Sequence, residues 1–130
     1  MYRLILVMES RIRRNVYVRF GGEYLETYCS NTKTRWILSL LLEKHGLFFN
    51  DINLFVFHQA NKYMVNFIRK IIGIDKEKFY LNIEDVGNTV SSTIPIALYE
   101  AKKEGKLNGN IMLAGFGVGY SWAGVLLRCL

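Results

Sequence analysis

Leu54-Phe-Val-Phe57 runs straight into His58-Gln-Ala-Asn61, and the reading of that junction decides the fold. Ile52 to Phe57 is an apolar run rich in aromatic and β-branched residues, the pattern of a buried strand. A strand that stops at a histidine sets an imidazole at the lip of a sheet. Ala60 to Ile72 then takes up helical spacing, with Met64, Phe67, Ile68 and Ile71 facing inward and Gly73 as the stop. Gly87-Asn88-Thr89 opens another helical segment further on. A loop ending on an asparagine brings a side-chain amide to the same lip. His58 and Asn88 are then two uncharged N–H donors for one oxygen, the arrangement that holds an enolate or oxyanion.

Outward from this junction, strands and helices alternate. Asn15 to Phe20 reads as a strand, and Glu23 to His45 as one long helix or two shorter ones closed by Gly46. Trp36, Ile37, Leu40 and Leu41 share one face of that segment. Phe79 to Ile83 is expected to be a strand and Ser91 to Glu104 a helix, with Pro95 tolerated in its first turn. Ile111 to Ala114 and Trp122 to Leu127 are two final strands joined through Gly115-Phe-Gly-Val-Gly119. Strand, helix, strand, helix, strand and a closing hairpin give an α/β fold, a mixed sheet covered by helices. At 130 residues this is one domain with a real core. Residues 1–14 have no clear role in the pattern.

Composition excludes several functions. The chain is 51% apolar, with eight Phe and eight Tyr, yet no run approaches the roughly 18–20 residues of a membrane helix. No membrane association is therefore expected, and the surplus belongs to a core or an interface. Met1 to Met8 is too short for a signal peptide and lacks a small-residue cleavage site. Cys29 and Cys129 have no metal-ligand spacing, so no metal is expected; reduced thiols suit a cytoplasmic protein. The net charge of +6 favours an anionic partner. Positive residues gather at Arg11-Ile-Arg13-Arg14 and recur as Lys62, Arg69 and Lys70 on one helix. A solvated basic face and a docking patch account for them equally well. No zinc-finger or RNA-binding signature accompanies them, so nucleic acid is not the expected partner.

Three motifs now carry a resemblance: Phe57-His-Gln-Ala-Asn61, Asp85-Val-Gly-Asn-Thr-Val-Ser-Ser-Thr-Ile-Pro95 and Gly115-Phe-Gly-Val-Gly-Tyr-Ser-Trp122. In this order and spacing, the chain from about Val18 onward resembles the C-terminal half of 3-oxoacyl-acyl carrier protein synthase III, a condensing enzyme of the thiolase superfamily. Residues 1–17 form an unmatched segment and 18–130 the thiolase-like domain. The resemblance implies a Cys–His–Asn triad that joins an acyl-CoA primer to malonyl-acyl carrier protein at the start of fatty acid synthesis. His58 matches the histidine and Asn88 the asparagine, which together hold the malonyl thioester oxygen while CO2 leaves. The backbone N–H of Val118, between Gly117 and Gly119, matches the oxyanion donor. No cofactor is implied beyond the substrates acyl-CoA and malonyl-acyl carrier protein.

The sequence also departs from the family. The family nucleophile lies in the N-terminal half, and neither Cys29 nor Cys129 matches its motif. Many members place an arginine five residues after the histidine to meet the acidic carrier protein. Here that position is Tyr63, with Lys62, Arg69 and Lys70 expected to provide the positive surface. The expected partners are acyl carrier protein, acyl-CoA and a cysteine-bearing N-terminal half, or self-association in its place. The alternative is an inactive remnant or interaction module of the same fold. Each residue also has a plainer role: capping for Gln59 and Asn61, a turn or helix N-cap for Asn88, a bulge for Gly115, Gly117 and Gly119. Asp85 reads as a turn former, Phe116 and Tyr120 as packing residues, and His45 as a helix C-terminal residue.

Overall fold

A computed structural model describes residues 2–7, 31–117 and 121–129. Its frame is a five-stranded mixed sheet built from β1 (Tyr2–Val7), β2 (Leu54–Phe57), β3 (Phe79–Tyr80), β4 (Gly109–Gly117) and β5 (Ser121–Cys129), in the spatial order β1-β5-β4-β2-β3. β3, β2 and β4 run parallel, while β5 and β1 pair antiparallel. The helices are α1 (Asn31–Lys44), α2 (Lys62–Ile72), the short α3 (Ile83–Val86) and α4 (Thr93–Lys103).

All four residues of β2 are buried, because the strand is covered on both faces. Phe55 and Phe57 point into a core with Leu38, Leu41 and Leu42 of α1 and Val65, Ile68 and Ile72 of α2. Leu54 and Val56 point the other way, onto Ala97 and Ala101 of α4. β4 follows the same alternation: Met112 and Ala114 join the first core, Ile111 and Leu113 the second. Phe57 packs edge-on against Phe55 at 6.3 Å and Phe79 at 5.0 Å. The continuous apolar run of β2 is thus the mark of a parallel strand between two helix layers.

The structure corrects several sequence expectations. Tyr2–Val7 lies in a stretch with no clear sequence role, yet it forms strand β1, paired along its length with β5. Strand β3 ends at Tyr80 and does not reach Ile83, which opens α3. α2 starts at Lys62, where Asn61 caps it by accepting the Met64 N–H at 2.7 Å. Its inward face is Val65, Ile68 and Ile72, with Met64, Phe67 and Ile71 at the half-buried flanks. The expected strand at 15–20 and the start of the expected helix at 23–45 lie outside the described residues, as do the side chains of Trp36 and Ile37.

The start of β4 is fixed by a tight backbone approach. Gly109 has φ +63°, and a Cβ there falls 2.7 Å from Asn53 Cγ. Asn53 cannot easily yield: its Oδ1 accepts the Asn110 N–H at 2.9 Å, and its own N–H donates to Asn110 O at 2.8 Å. Gly109→Ala therefore incurs both left-handed strain and a lost hydrogen bond. We expect a loss of roughly 2–3 kcal/mol in urea unfolding. An unchanged midpoint would show that this junction yields freely.

Candidate active site

The backbone places His58. Its N–H donates to Ala114 O at 2.8 Å, extending the parallel β2–β4 ladder one residue past Phe57. The imidazole therefore sits at the carboxyl end of parallel strands, where α/β sheets bring loops together around ligands. One ring edge meets Phe116 at 5.4 Å between centroids and 77° between planes. Nδ1 lies 2.6 Å from Thr93 Oγ1. Burial holds the imidazole below its ordinary pKa of 6.5, which favours the neutral ring.

Gln59 holds the adjoining loop. Its side chain is fully buried and ties three backbone groups together. Nε2 donates to Phe57 O at 2.8 Å and Tyr80 O at 3.3 Å, while Oε1 accepts the Asn82 N–H at 3.4 Å. These bonds take the place of the next rungs between β2 and β3, so β3 stops at Tyr80 and the chain turns into α3. The sequence reading gave Gln59 a capping role; the structure gives it the larger one of joining two diverging strand ends.

Asn88 reaches the same region from the other side. Its Oδ1 accepts the Val90 N–H at 2.9 Å, an Asx-type turn that leaves the amide N–H2 as the outward donor. Val90 O accepts the hydroxyl of Thr93 at 3.0 Å, and Thr93 Oγ1 is the atom against His58. The structure thus joins His58 and Asn88 through hydrogen bonds that meet at one residue, Val90. That residue is strained: Val90 has φ +55°, a region that β-branched residues avoid. Thr93 was no candidate in the sequence, although its place in Val90-Ser-Ser-Thr93 near Asn88 was visible.

The remaining candidates fall at varied distances from this point. Gly117 ends the described part of β4, opposite Ser121. Val118 lies outside the described residues, as do Gly119, Tyr120, Cys29 and Arg11-Ile-Arg13-Arg14. Cys129 pairs with Gly109 at the other end of the sheet. Five residues of strand separate Gly109 from Ala114, or about 16 Å. Burial also pushes the Cys129 thiol pKa up, the reverse of an activated nucleophile.

Lys62, Arg69 and Lys70 all line one open groove between α2 and the chain around α3, together with Lys76 and Tyr63. Two of the three have other duties. Lys62 pairs with Glu84, and Arg69 Nη1 donates to Ile74 O at 2.8 Å, bracing the turn after α2. Tyr63 is 80% exposed and stacks on Phe67 at 6.4 Å. Among the described residues, no helix is long and apolar enough to cross a membrane.

Residues 42–129 match the family described as 3-oxoacyl-[acyl-carrier-protein] synthase III C terminal. The chain is 35% identical over 116 residues to a Clostridium tetani protein named beta-ketoacyl-[acyl-carrier-protein] synthase III, covering 88% of this chain and 34% of that protein. The Aquifex aeolicus protein of the same name is 42% identical over 114 residues, covering 86% of this chain and 37% of its own. A crystal structure of the Aquifex aeolicus synthase superposes with a TM-score of 0.77 at 32% identity, over 97% of this chain and 43% of that one. The chain spans about a third of the length of the curated relatives it matches.

Removing the Gln59 amide leaves Phe57 O, Tyr80 O and Asn82 N–H buried without their partner. We expect Gln59→Leu to lower unfolding stability by roughly 2–3 kcal/mol in denaturant titration, with the loss concentrated in faster amide exchange at 79–86. Equal stability of wild type and variant would contradict this role.

Proposed function

The chain belongs to the 3-oxoacyl-acyl carrier protein synthase III family, and from that premise we propose that it supplies the malonyl-activating side of a condensing site. The observation that carries this reading is the junction of His58 and Asn88 by one hydrogen-bonded relay at the carboxyl end of β2 and β4. Asn88 has its amide oxygen occupied by Val90, so its N–H2 is presented as a donor. His58 sits in a half-buried setting that keeps it neutral near pH 7. Donors without full charge suit an oxygen that becomes negative only as CO2 departs, because their effect grows with the developing charge.

In the reaction, Asn88 and His58 hydrogen-bond the malonyl thioester oxygen. The C–C bond to the carboxylate breaks, CO2 leaves, and its electron pair becomes the enolate. The enolate carbon then attacks an acyl thioester carried on a cysteine outside these 130 residues. The Val118 N–H, next to Gly117, receives the resulting oxyanion, whose collapse breaks the C–S bond, releases the cysteine thiolate and leaves a 3-oxoacyl thioester on the carrier. A malonyl group arrives on acyl carrier protein, which is acidic by the family's expectation. The groove formed by Lys62, Arg69, Lys70 and Lys76 suits such a surface, with Lys70 and Lys76 carrying more of the attraction than the Glu84-paired Lys62. No cofactor is required, and a cytoplasmic setting fits these substrates.

The cysteine-bearing portion is also the proposed occupant of the outer side of α4. Ile94 to Leu98 is uninterrupted by charge, and Tyr99 next to it is 61% exposed. One helix cannot bury both sides of such a run within this chain. Without that portion, self-association takes its place. We expect light scattering to give a mass above that of the monomer, reduced by Tyr99→Glu; a monodisperse monomer of wild type would contradict this.

The direct test is CO2 release from malonyl-acyl carrier protein, with and without a cysteine-bearing N-terminal half of a relative. Condensation is expected only on mixing, with His58→Ala and Asn88→Ala each reducing CO2 release by about 10²-fold or more. Silence from folded, associated halves would leave the inactive-remnant reading in its place.

A further inference from the structure

Resting on the carrier reading above, we propose that Tyr63 is the anchor of the docking surface. Its ring takes an apolar side chain of the acyl carrier protein, while carboxylates beside that side chain meet Lys70 and Lys76. The spacing on α2 is the starting point. Tyr63, Asn66, Phe67 and Lys70 all line the groove. Their spacing of i, i+3, i+4 and i+7 puts them on one stripe of the helix. The stripe changes character along its length. It begins with two aromatic rings and ends on a cation in the last turn, about 10 Å from Tyr63 along the axis.

Tyr63 is held ready for such a contact. It is 80% exposed, yet its ring stacks on Phe67 at 6.4 Å with 11° between the planes. A ring already ordered in solvent loses little freedom when a partner covers it, which is why tyrosine recurs among the residues that dominate binding. Leu81 and Ile83 add apolar lining from the opposite wall. This end of the groove is also electrically balanced, because Lys62 is matched there by Glu84. Recognition beside Tyr63 is therefore apolar.

The other end of the groove is cationic. Lys70 closes the stripe in the last turn of α2, and Lys76 follows just beyond Gly73. Among the described residues neither is paired with a carboxylate, and Glu84 at the far end is the single acidic residue of the lining. The two ends thus orient a docked carrier. Its apolar side chain lies toward the start of α2, five residues after His58, and its carboxylates lie away from the site.

Titration of the full chain with malonyl-acyl carrier protein, at about 0.05 and 0.5 M salt, separates the anchor from the cations. Tyr63→Ala is expected to weaken binding about tenfold, by the same factor at both salt levels, because an apolar contact is not screened. Tyr63→Gln, a good helix former without the ring, is expected to do the same and serves if Tyr63→Ala melts early. Tyr63→Phe keeps the ring and is expected to bind within about twofold of wild type. Lys70→Gln combined with Lys76→Gln is expected to flatten the salt dependence and keep the high-salt affinity. Four results overturn the proposal: a wild type that does not bind the carrier, a natively melting ring-deleted variant that binds as wild type does, a Tyr63→Ala deficit that vanishes at high salt, or an unchanged salt dependence in the lysine double variant. CO2 release from malonyl-CoA by the mixed halves, which needs no carrier, keeps the functional reading distinct. Release without carrier binding overturns the anchor alone. Carrier binding in the expected pattern without release overturns that reading and leaves the anchor standing.

Discussion

The parallel pairing of β2 with β4 is the constraint on which the site depends. His58 is held as a rung of that ladder, through its own N–H on Ala114 O, so the imidazole inherits the rigidity of a strand buried on both faces. A histidine on a free loop would spend ordering entropy each time it met a ligand. Here the ordering is complete when the sheet forms. The aromatic cluster of Phe55, Phe57 and Phe79 beneath it fixes the strand's own position, with edge contacts that a smaller apolar set would not make.

Strand ends that stop together expose backbone groups, and the chain solves this locally. Gln59 bridges Phe57 O, Tyr80 O and Asn82 N–H where β2 and β3 part. Val90 solves the corresponding problem before α4, at a cost in backbone strain of order 1–2 kcal/mol. The strain persists because both the N–H and the carbonyl of Val90 are tied, to Asn88 and to Thr93. That pattern, a strained residue held between two site side chains, is what distinguishes a built site from a loop that merely passes nearby.

Much of this was legible in the sequence, for physical reasons that differ by element. β2 and α2 announced themselves through an unbroken apolar run and then helical spacing, with Asn61 and Gly73 as punctuation. His58 and Asn88 were legible from position, at a strand end and before a helix. The end of β3 was not legible, because Leu81 and Ile83 continue a strand-like pattern while a buried side chain from another segment ends the ladder. β1 was hidden likewise: nothing local in Tyr2–Val7 names β5 as its partner, and edge pairing is decided by the sheet it joins. Thr93 escaped because a threonine at the start of a helix is ordinary. Only the fold brings its hydroxyl against an imidazole thirty-five positions earlier.

Charge and neutrality are divided between two places, and the division makes chemical sense. The positive side chains lie along the α2 groove, where they would attract the proposed acidic partner over a distance set by ionic screening. The site itself offers a neutral ring and an amide. For the proposed malonyl substrate, a lysine at the site would hold the carboxylate tightly and so stabilise the ground state that must be lost. On the proposed reading, a neutral donor pair would gain most as charge migrated from a departing carboxylate to a thioester oxygen. Keeping cations on α2 and uncharged donors on the relay is the division that the proposed function requires, since it would attract an anion without trapping it.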